Sequence, residues 1–359
     1  YGGRGRQAGS SFKPFALAAA VRQGISLNSK FDAPAKIVLP KADAGKDWEL
    51  GNYEDSEQGT LDLVDATRVS SNTAYAQLMT EVGPKSVVDL AHEMGVEADL
   101  PEVVSLVLGT GDVSPLDMAT GFSTFANRGI HNDPEMILRI DQVREDGSVT
   151  TLERAGVSGD RVLTQQESDL VTYALRQVVT SGTGRAANFG KAVAGKTGTT
   201  NNYRDAWFVG YTPKLTTAVW MGYPNPPGTT PRNMVDVHGI KVTGGSFPAQ
   251  IFNKFMRNAT AKLDNGSFVA PKSFPGKILN PSLQLSTTTS STSSTVADDG
   301  SSTTSSSSSL PPGVSVPSST SSTAPTTTAA PLPDCNRPFF NDPRYNEQDP
   351  SKSTCKPVG

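Results

Sequence analysis

Ala192-Val193-Ala194-Gly195-Lys196-Thr197-Gly198-Thr199-Thr200 opens the stretch whose reading decides the fold. Ala192 to Thr197, Ala206-Trp207-Phe208-Val209-Gly210-Tyr211 and Thr216-Thr217-Ala218-Val219-Trp220-Met221-Gly222-Tyr223 are three apolar runs rich in β-branched and aromatic residues. Such runs read as strands, and their short connections predict antiparallel neighbours. Helical patterns stand on either side, Gln165 to Val179 before and Phe247 to Lys262 after. Helices around sequential strands predict an α/β architecture, an antiparallel sheet with helices packed on both faces.

Outward from that stretch, the earlier chain is punctuated in the same way. Ser10 opens a helical run, Phe12 to Gln23, which closes at Gly24. Leu61 to Val69 and Thr73 to Val82 are amphipathic pieces broken by Ser70-Ser71-Asn72. Pro115 stands at a helix start with Leu116, Ala119, Phe122 and Phe125 on one face and Gly129 beyond its end. Met136 to Arg144 and Ser148 to Leu152 flank Asp146-Gly147, a hairpin signal.

Composition sets the limits. The 359 residues are 36% hydrophobic and 19% charged, and the apolar deficit is concentrated after residue 285. Residues 1–285 therefore read as the folded domain. Residues 286–334 are almost all Ser, Thr, Pro and Ala, too polar to offset the entropy of ordering, and read as a disordered linker. Residues 335–359 form a short C-terminal segment holding the only cysteines, Cys335 and Cys355. These predict a disulfide, and with it an oxidising compartment. A net charge of −3, from 32 basic and 35 acidic residues, gives no case for nucleic acid. The apolar run Phe15 to Val21 is far too short to span a membrane. His92, His131 and His238 have no ligand spacing, so neither metal nor other cofactor is expected. Gly109-Thr110-Gly111 lacks the company of a phosphate loop and reads as a turn.

Three short motifs carry chemistry: Ser10-Ser11-Phe12-Lys13, Ser70-Ser71-Asn72 and Lys196-Thr197-Gly198, extended by Thr199-Thr200. Singly the first two are weak, since Ser353 and Lys356 repeat one spacing and Ser26 and Asn28 the other. Ser10 and Lys13, three apart at a helix start, share a face. The bland readings are a capping serine, a break between helices and a strand ending in a turn. Helix, helix break and strand carrying the motifs in this order favour a nucleophile with its proton path instead.

On these motifs the sequence resembles the penicillin-binding protein and serine β-lactamase superfamily. Arg6-Gln7-Ala8-Gly9-Ser10-Ser11-Phe12-Lys13-Pro14-Phe15 is similar to the nucleophile segment of the bifunctional, class A penicillin-binding proteins, which usually carry Pro where this chain has Ala8. Gly111 to Leu116, Ala126 to Gly129, Ser181 to Gly184 and Asp205 to Tyr211 fit the same family, so the resemblance covers about residues 1–262. It implies a D,D-transpeptidase that cross-links peptidoglycan stem peptides through a serine acyl-enzyme and is blocked by β-lactams. Ser10 would attack the penultimate D-Ala carbonyl, Lys13 act as base, Ser70 relay the proton, and Asn72 bond Lys13 and the substrate amide. Lys196, Thr197 and Thr199 would hold the terminal carboxylate. Backbone N–H groups of Ser10 and Thr199 would form the oxyanion site, and Gly198 would let substrate lie close to the strand.

A class A β-lactamase would resemble Ser-Asp-Asn at the second motif, where Ser71 stands in the middle here. A D,D-carboxypeptidase would use the same residues with water as acceptor. The non-enzymatic alternative is a β-lactam sensor or an inert scaffold for the cell-wall machinery, and intact Ser10, Lys13, Ser70, Asn72, Lys196 and Thr197 speak against inertness. The resemblance further implies the extracytoplasmic face of the cell membrane, stem peptides and lipid II-derived strands as partners, and cell-wall synthesis proteins as neighbours. It also implies an upstream glycosyltransferase domain and membrane anchor, and a sheet lacking its first two strands within this sequence. The run Thr216 to Tyr223 is then expected to form an open edge.

Overall fold

In the computed structural model the structure describes residues 5–156, 159–224 and 229–285. The linker and Cys335–Cys355 lie outside the described residues. Strands are β1 (Arg6–Gln7), β2 (Lys30–Asp32), β3 (Lys36–Asp43), β4 (Lys46–Gly51), β5 (Thr60–Asp62), β6 (Asp112–Val113), β7 (Ile130–His131), β8 (Arg139–Val143), β9 (Val149–Arg154), β10 (Asp160–Arg161), β11 (Ala194–Thr199), β12 (Asp205–Tyr211) and β13 (Thr216–Gly222). Helices are α1 (Lys13–Arg22), α2 (Leu63–Val69), α3 (Asn72–Val82), α4 (Pro84–Glu93), α5 (Pro115–Ala126), α6 (Gln165–Thr180) and α7 (Phe247–Ala259).

The three runs that open the sequence reading form an antiparallel sheet in the order β11-β12-β13. Every residue of β12 is buried, as a strand covered on both faces requires. Alternate side chains separate the two faces. Trp207, Val209 and Tyr211 join the main core beside Phe122 of α5, whereas Phe208 meets Phe252 of α7 with ring centroids 4.7 Å apart. Helices therefore cover both faces, as expected. Among the described residues β13 pairs only with β12, which leaves the anticipated edge, half-buried along its length.

α1 is the axis of the core. Nine of its ten residues, Lys13 to Val21, are buried, so the helix is enclosed on all sides. Pro14 sits in its first turn, where a missing N–H costs nothing. Phe15 packs on Phe122 and Phe125 at 5.9 and 6.3 Å between centroids; deleting one such ring costs about 3–5 kcal/mol. The helix starts one residue later than expected, because Gly9–Phe12 winds as a 3-10 turn before it. Ser10 lies in that turn and does not cap α1.

α5 and α6 begin at capping boxes, Ser114 with Asp117 and Thr164 with Glu167. The hairpin expected around Asp146-Gly147 is β8–β9. Leu61 and Asp62, expected to be helical, instead pair in β5 with β2, and Asp62 then caps α2 by accepting from Asp65 N–H. The β3–β4 hairpin was not anticipated. α7 ends at Ala259, three residues short of the expected Lys262. Among the described residues no helix is long and apolar enough to cross a membrane.

Candidate active site

The three motifs meet because α1, the α2–α3 junction and β11 converge. Ser70 ends α2 in the left-handed region at φ 63°, a conformation costing a non-glycine residue about 1–2 kcal/mol. The turn closes α2 and lets Ser71 cap α3 through Ala74 N–H. It delivers both oxygens of Ser70 to Lys13, whose Nζ lies 2.7 Å from Ser70 O and 3.4 Å from Ser70 Oγ. Lys13 Nζ also donates to Asn72 Oδ1 at 2.8 Å. From the other side Lys196 Nζ donates to Ser70 Oγ at 2.7 Å and to Thr197 O at 3.1 Å. Ser70 thus stands between two amines carried by a helix and a strand far apart in sequence.

Both lysine side chains are completely buried. Burial pushes Lys13 well below the ordinary lysine range, and the neighbouring Lys196 pushes it the same way. Burial brings Lys196 down to about 7. A neutral Lys13 has two N–H donors, matched by Ser70 O and Asn72 Oδ1, and keeps a lone pair that can take a proton. The Tyr75 ring lies 5.4 Å from the same nitrogen.

Ser10, Ser70, Asn72, Thr197 and Thr199 line one cavity of about 790 Å³. Ser10 opens onto it from the turn before α1 and makes no side-chain hydrogen bond among the described residues, unlike the hydroxyls of Ser70, Thr197 and Thr199. Thr199 Oγ1 accepts from Gly244 N–H at 3.1 Å, which leaves its own proton to donate. Thr197 Oγ1 lies 2.7 Å from Thr183 Oγ1, a partner that the Ser181 to Gly184 segment contributes and sequence reading did not assign. Across the mouth, Tyr53 OH and Tyr203 OH are 2.8 Å apart.

Gly198 also meets a packing demand that the sequence reading did not anticipate. A Cβ built there would lie 2.2 Å from Ala8 O and 3.0 Å from Ser11 N, so its missing side chain admits the serine turn against β11. Gly9, at φ 57°, makes the reciprocal approach: its Cβ would lie 2.9 Å from Thr199 N. The turn bearing Ser10 and the end of β11 adjoin backbone to backbone, a geometry suited to two N–H groups sharing one oxygen. A second residue missed from sequence is the buried Asn52, which binds the start of α3 from 20 residues away.

A family model for the penicillin binding protein transpeptidase domain matches residues 5–257. Penicillin-binding protein 1A of Aquifex aeolicus is 34% identical over 267 residues, covering 74% of this chain and 35% of that protein. Penicillin-binding protein 1A of Mycobacterium tuberculosis is 32% identical over 294 residues, covering 76% and 34%. The chain thus spans about a third of the length of these curated relatives. Among solved structures, the penicillin-binding protein PonA1 from Mycobacterium tuberculosis superposes with a TM-score of 0.67 at 30% identity, covering 77% of this chain and 75% of that one. The same protein in complex with penicillin V gives 0.63 over the same shares. By fold, by the motifs its core brings together and by these matches, the chain belongs to the penicillin-binding protein transpeptidase family.

Proposed function

We propose that this domain is a serine D,D-transpeptidase that cross-links peptidoglycan stem peptides and is acylated by β-lactams. The observation carrying the reading is the Ser70 hydroxyl held 2.7 Å from Lys196 Nζ and 3.4 Å from Lys13 Nζ, beside the turn that carries Ser10. Ser10 Oγ attacks the carbonyl of the penultimate D-Ala and gives its proton to the neutral amine of Lys13. The peptide bond to the terminal D-Ala breaks, and the departing amine takes a proton from Lys13 through Ser70. The resulting ester is attacked by the amine of a neighbouring stem peptide; the amine's proton returns by the same path and Ser10 recovers its own. In a β-lactam the broken amide bond lies in the ring, so the leaving amine stays tethered and the ester persists.

Lys196, Thr197 and Thr199 receive the substrate carboxylate, Ser10 and Thr199 N–H groups the oxyanion, and Asn72 both Lys13 and the substrate amide. The PonA1 complex with penicillin V, at 30% identity, supports the same ligand class here. The penicillin-binding protein 1A relatives support an extracytoplasmic, membrane-anchored protein, and a glycosyltransferase region outside this stretch is proposed on the class A resemblance. Stem peptides, lipid II-derived strands and cell-wall synthesis proteins are its proposed partners. The test is to label the full-length protein with a fluorescent penicillin and to repeat with Ser10→Ala. Label on the parent and none on the variant is expected; equal labelling removes Ser10 from its role.

A further inference from the structure

The side chain of Asn52 reaches the second motif from outside it. Asn52 follows β4 at the foot of the β3–β4 hairpin and is 5% exposed. Its Oδ1 accepts from Asn72 N–H at 2.8 Å, Thr73 N–H at 3.2 Å and Ser71 Oγ at 3.3 Å. The two N–H groups are the first of α3, which no intrahelical carbonyl can satisfy. Its Nδ2 is anchored in turn on Pro34 O at 2.9 Å and Ser56 O at 3.1 Å. The preceding residue completes the hold: Gly51 O accepts from Asn72 Nδ2 at 2.9 Å. That bond fixes which end of the Asn72 amide faces Lys13, because with Nδ2 on Gly51 O it is Oδ1 that meets Lys13 Nζ, at 2.8 Å.

We propose that Asn52 is a positioning residue for acyl transfer, acting through Asn72 to hold Lys13 in the geometry of a base. This rests on the transpeptidase reading above. Lys13 has four methylenes and no ion-pair partner among the described residues, so the direction of its N–H groups is set by the oxygens that receive them. Of its two short bonds, one ends on the Ser70 backbone and the other on an amide that could rotate. Asn52 and Gly51 remove that rotation from both ends, one taking the Asn72 backbone N–H and the other the side-chain NH₂. A misplacement of about 1 Å in such a group costs roughly 10²-fold in rate.

Acylation of the full-length protein by a fluorescent penicillin is followed at increasing concentrations, which separates the maximal acylation rate from the dissociation constant of the first complex. For Asn52→Ala the maximal rate is expected to fall about 10²-fold with the dissociation constant unchanged. In the double variant with Asn72→Ala the rate is expected to match Asn72→Ala alone within threefold, since two residues acting through one contact are not additive. Should Asn52→Ala fail to unfold cooperatively, Asn52→Ser, which keeps a hydroxyl in the space, takes its place in the cycle. A loss wholly in the dissociation constant, or losses that multiply in the double variant, overturns the proposal. Ser10→Ala, run alongside, separates the two levels: label on that variant defeats the acyl-transfer reading itself. An unlabelled Ser10→Ala with a multiplicative cycle defeats only the role of Asn52.

Discussion

Replacing Gly198 by alanine tests the packing on which the whole site depends. The new Cβ would lie 2.2 Å from Ala8 O and 3.0 Å from both Ser11 N and Ser11 Oγ. Ordinary contacts begin near 3.4 Å, so the serine turn and β11 must separate by about 1 Å. The strand cannot yield alone, because it is paired along its length from Ala194↔Tyr211 to Thr199↔Ala206. The turn cannot yield freely either, since Ser11 Oγ donates to Ala8 O at 2.6 Å and Gly9 N–H to Gly109 O at 3.3 Å. Overpacking of this kind costs about 1–3 kcal/mol, which for a domain of this size lowers the melting temperature by roughly 2–12 °C. The same displacement moves Ser10 relative to Lys196 and Thr199, with a loss of about 10²-fold in acylation. Thermal unfolding and penicillin acylation are measured on the same sample. If glycine served only to admit substrate, acylation would fall while the melting temperature held; that outcome, or a fully active variant, refutes the packing argument.

Two further outcomes follow from the same centre. The folded value of Lys196, about 7, lies below the ordinary 10.5, so between these limits the unfolded chain holds a proton that the folded chain has released. Stability therefore rises with pH across that window, by up to about 1.4 kcal/mol per unit from this group. Urea midpoints at pH 7, 8 and 9 should climb in the parent and climb less in Lys196→Met; equal slopes would show that the buried amine is not the source. At Ser70 the left-handed φ reverses the usual order of helix-flanking substitutions: Ser70→Gly should be more stable than Ser70→Ala by about 1–2 kcal/mol. Both should lose about 10²–10⁴-fold in acylation with the hydroxyl proposed as relay, and an alanine variant as stable as the glycine one would contradict the strain.

What could be read from the chain alone was whatever had a local signature. β11 to β13 show as apolar runs, α5 has Pro115 at its start and Gly129 beyond its end, α6 shows its helical pattern, and Gly147 marks its hairpin at φ 80°. The β3–β4 hairpin has no such mark: it contains Pro40 and alternating charges, and it turns at Ala44-Gly45. Leu61 and Asp62 were hidden inside a helical pattern, and only pairing with the distant Lys30 and Phe31 makes them a strand. The motif residues were legible because their types and order are unusual, and the core brings Lys13, Ser70, Asn72 and Lys196 within bonding reach. Asn52 was not, because its meaning lies in bonds to a segment 20 residues away. The demand on Gly198 was visible as glycine, but the close approach of Ala8 that adds to it was not.

Two amines buried without a carboxylate are an arrangement that folding alone disfavours, since an unpaired buried charge is among the most expensive groups a core can hold. Among the described residues no acidic group forms an ion pair with Lys13 or Lys196. Their acceptors are neutral oxygens on Ser70, Asn72 and Thr197. Neutral oxygens can satisfy N–H groups but cannot supply a countercharge, so burial favours the neutral amines and both sit below their ordinary range. In the proposed reaction the substrate's terminal carboxylate brings an anion to these amines. A carboxylate beside Lys196 favours the ammonium form there, and a cation at Lys196 in turn favours neutral Lys13. The ligand thereby sets the protonation pattern its own acylation needs, with one amine charged to hold it and the other neutral to take the Ser10 proton. The Ser70 hydroxyl, 2.7 Å from the first and 3.4 Å from the second, is the atom through which that asymmetry is transmitted.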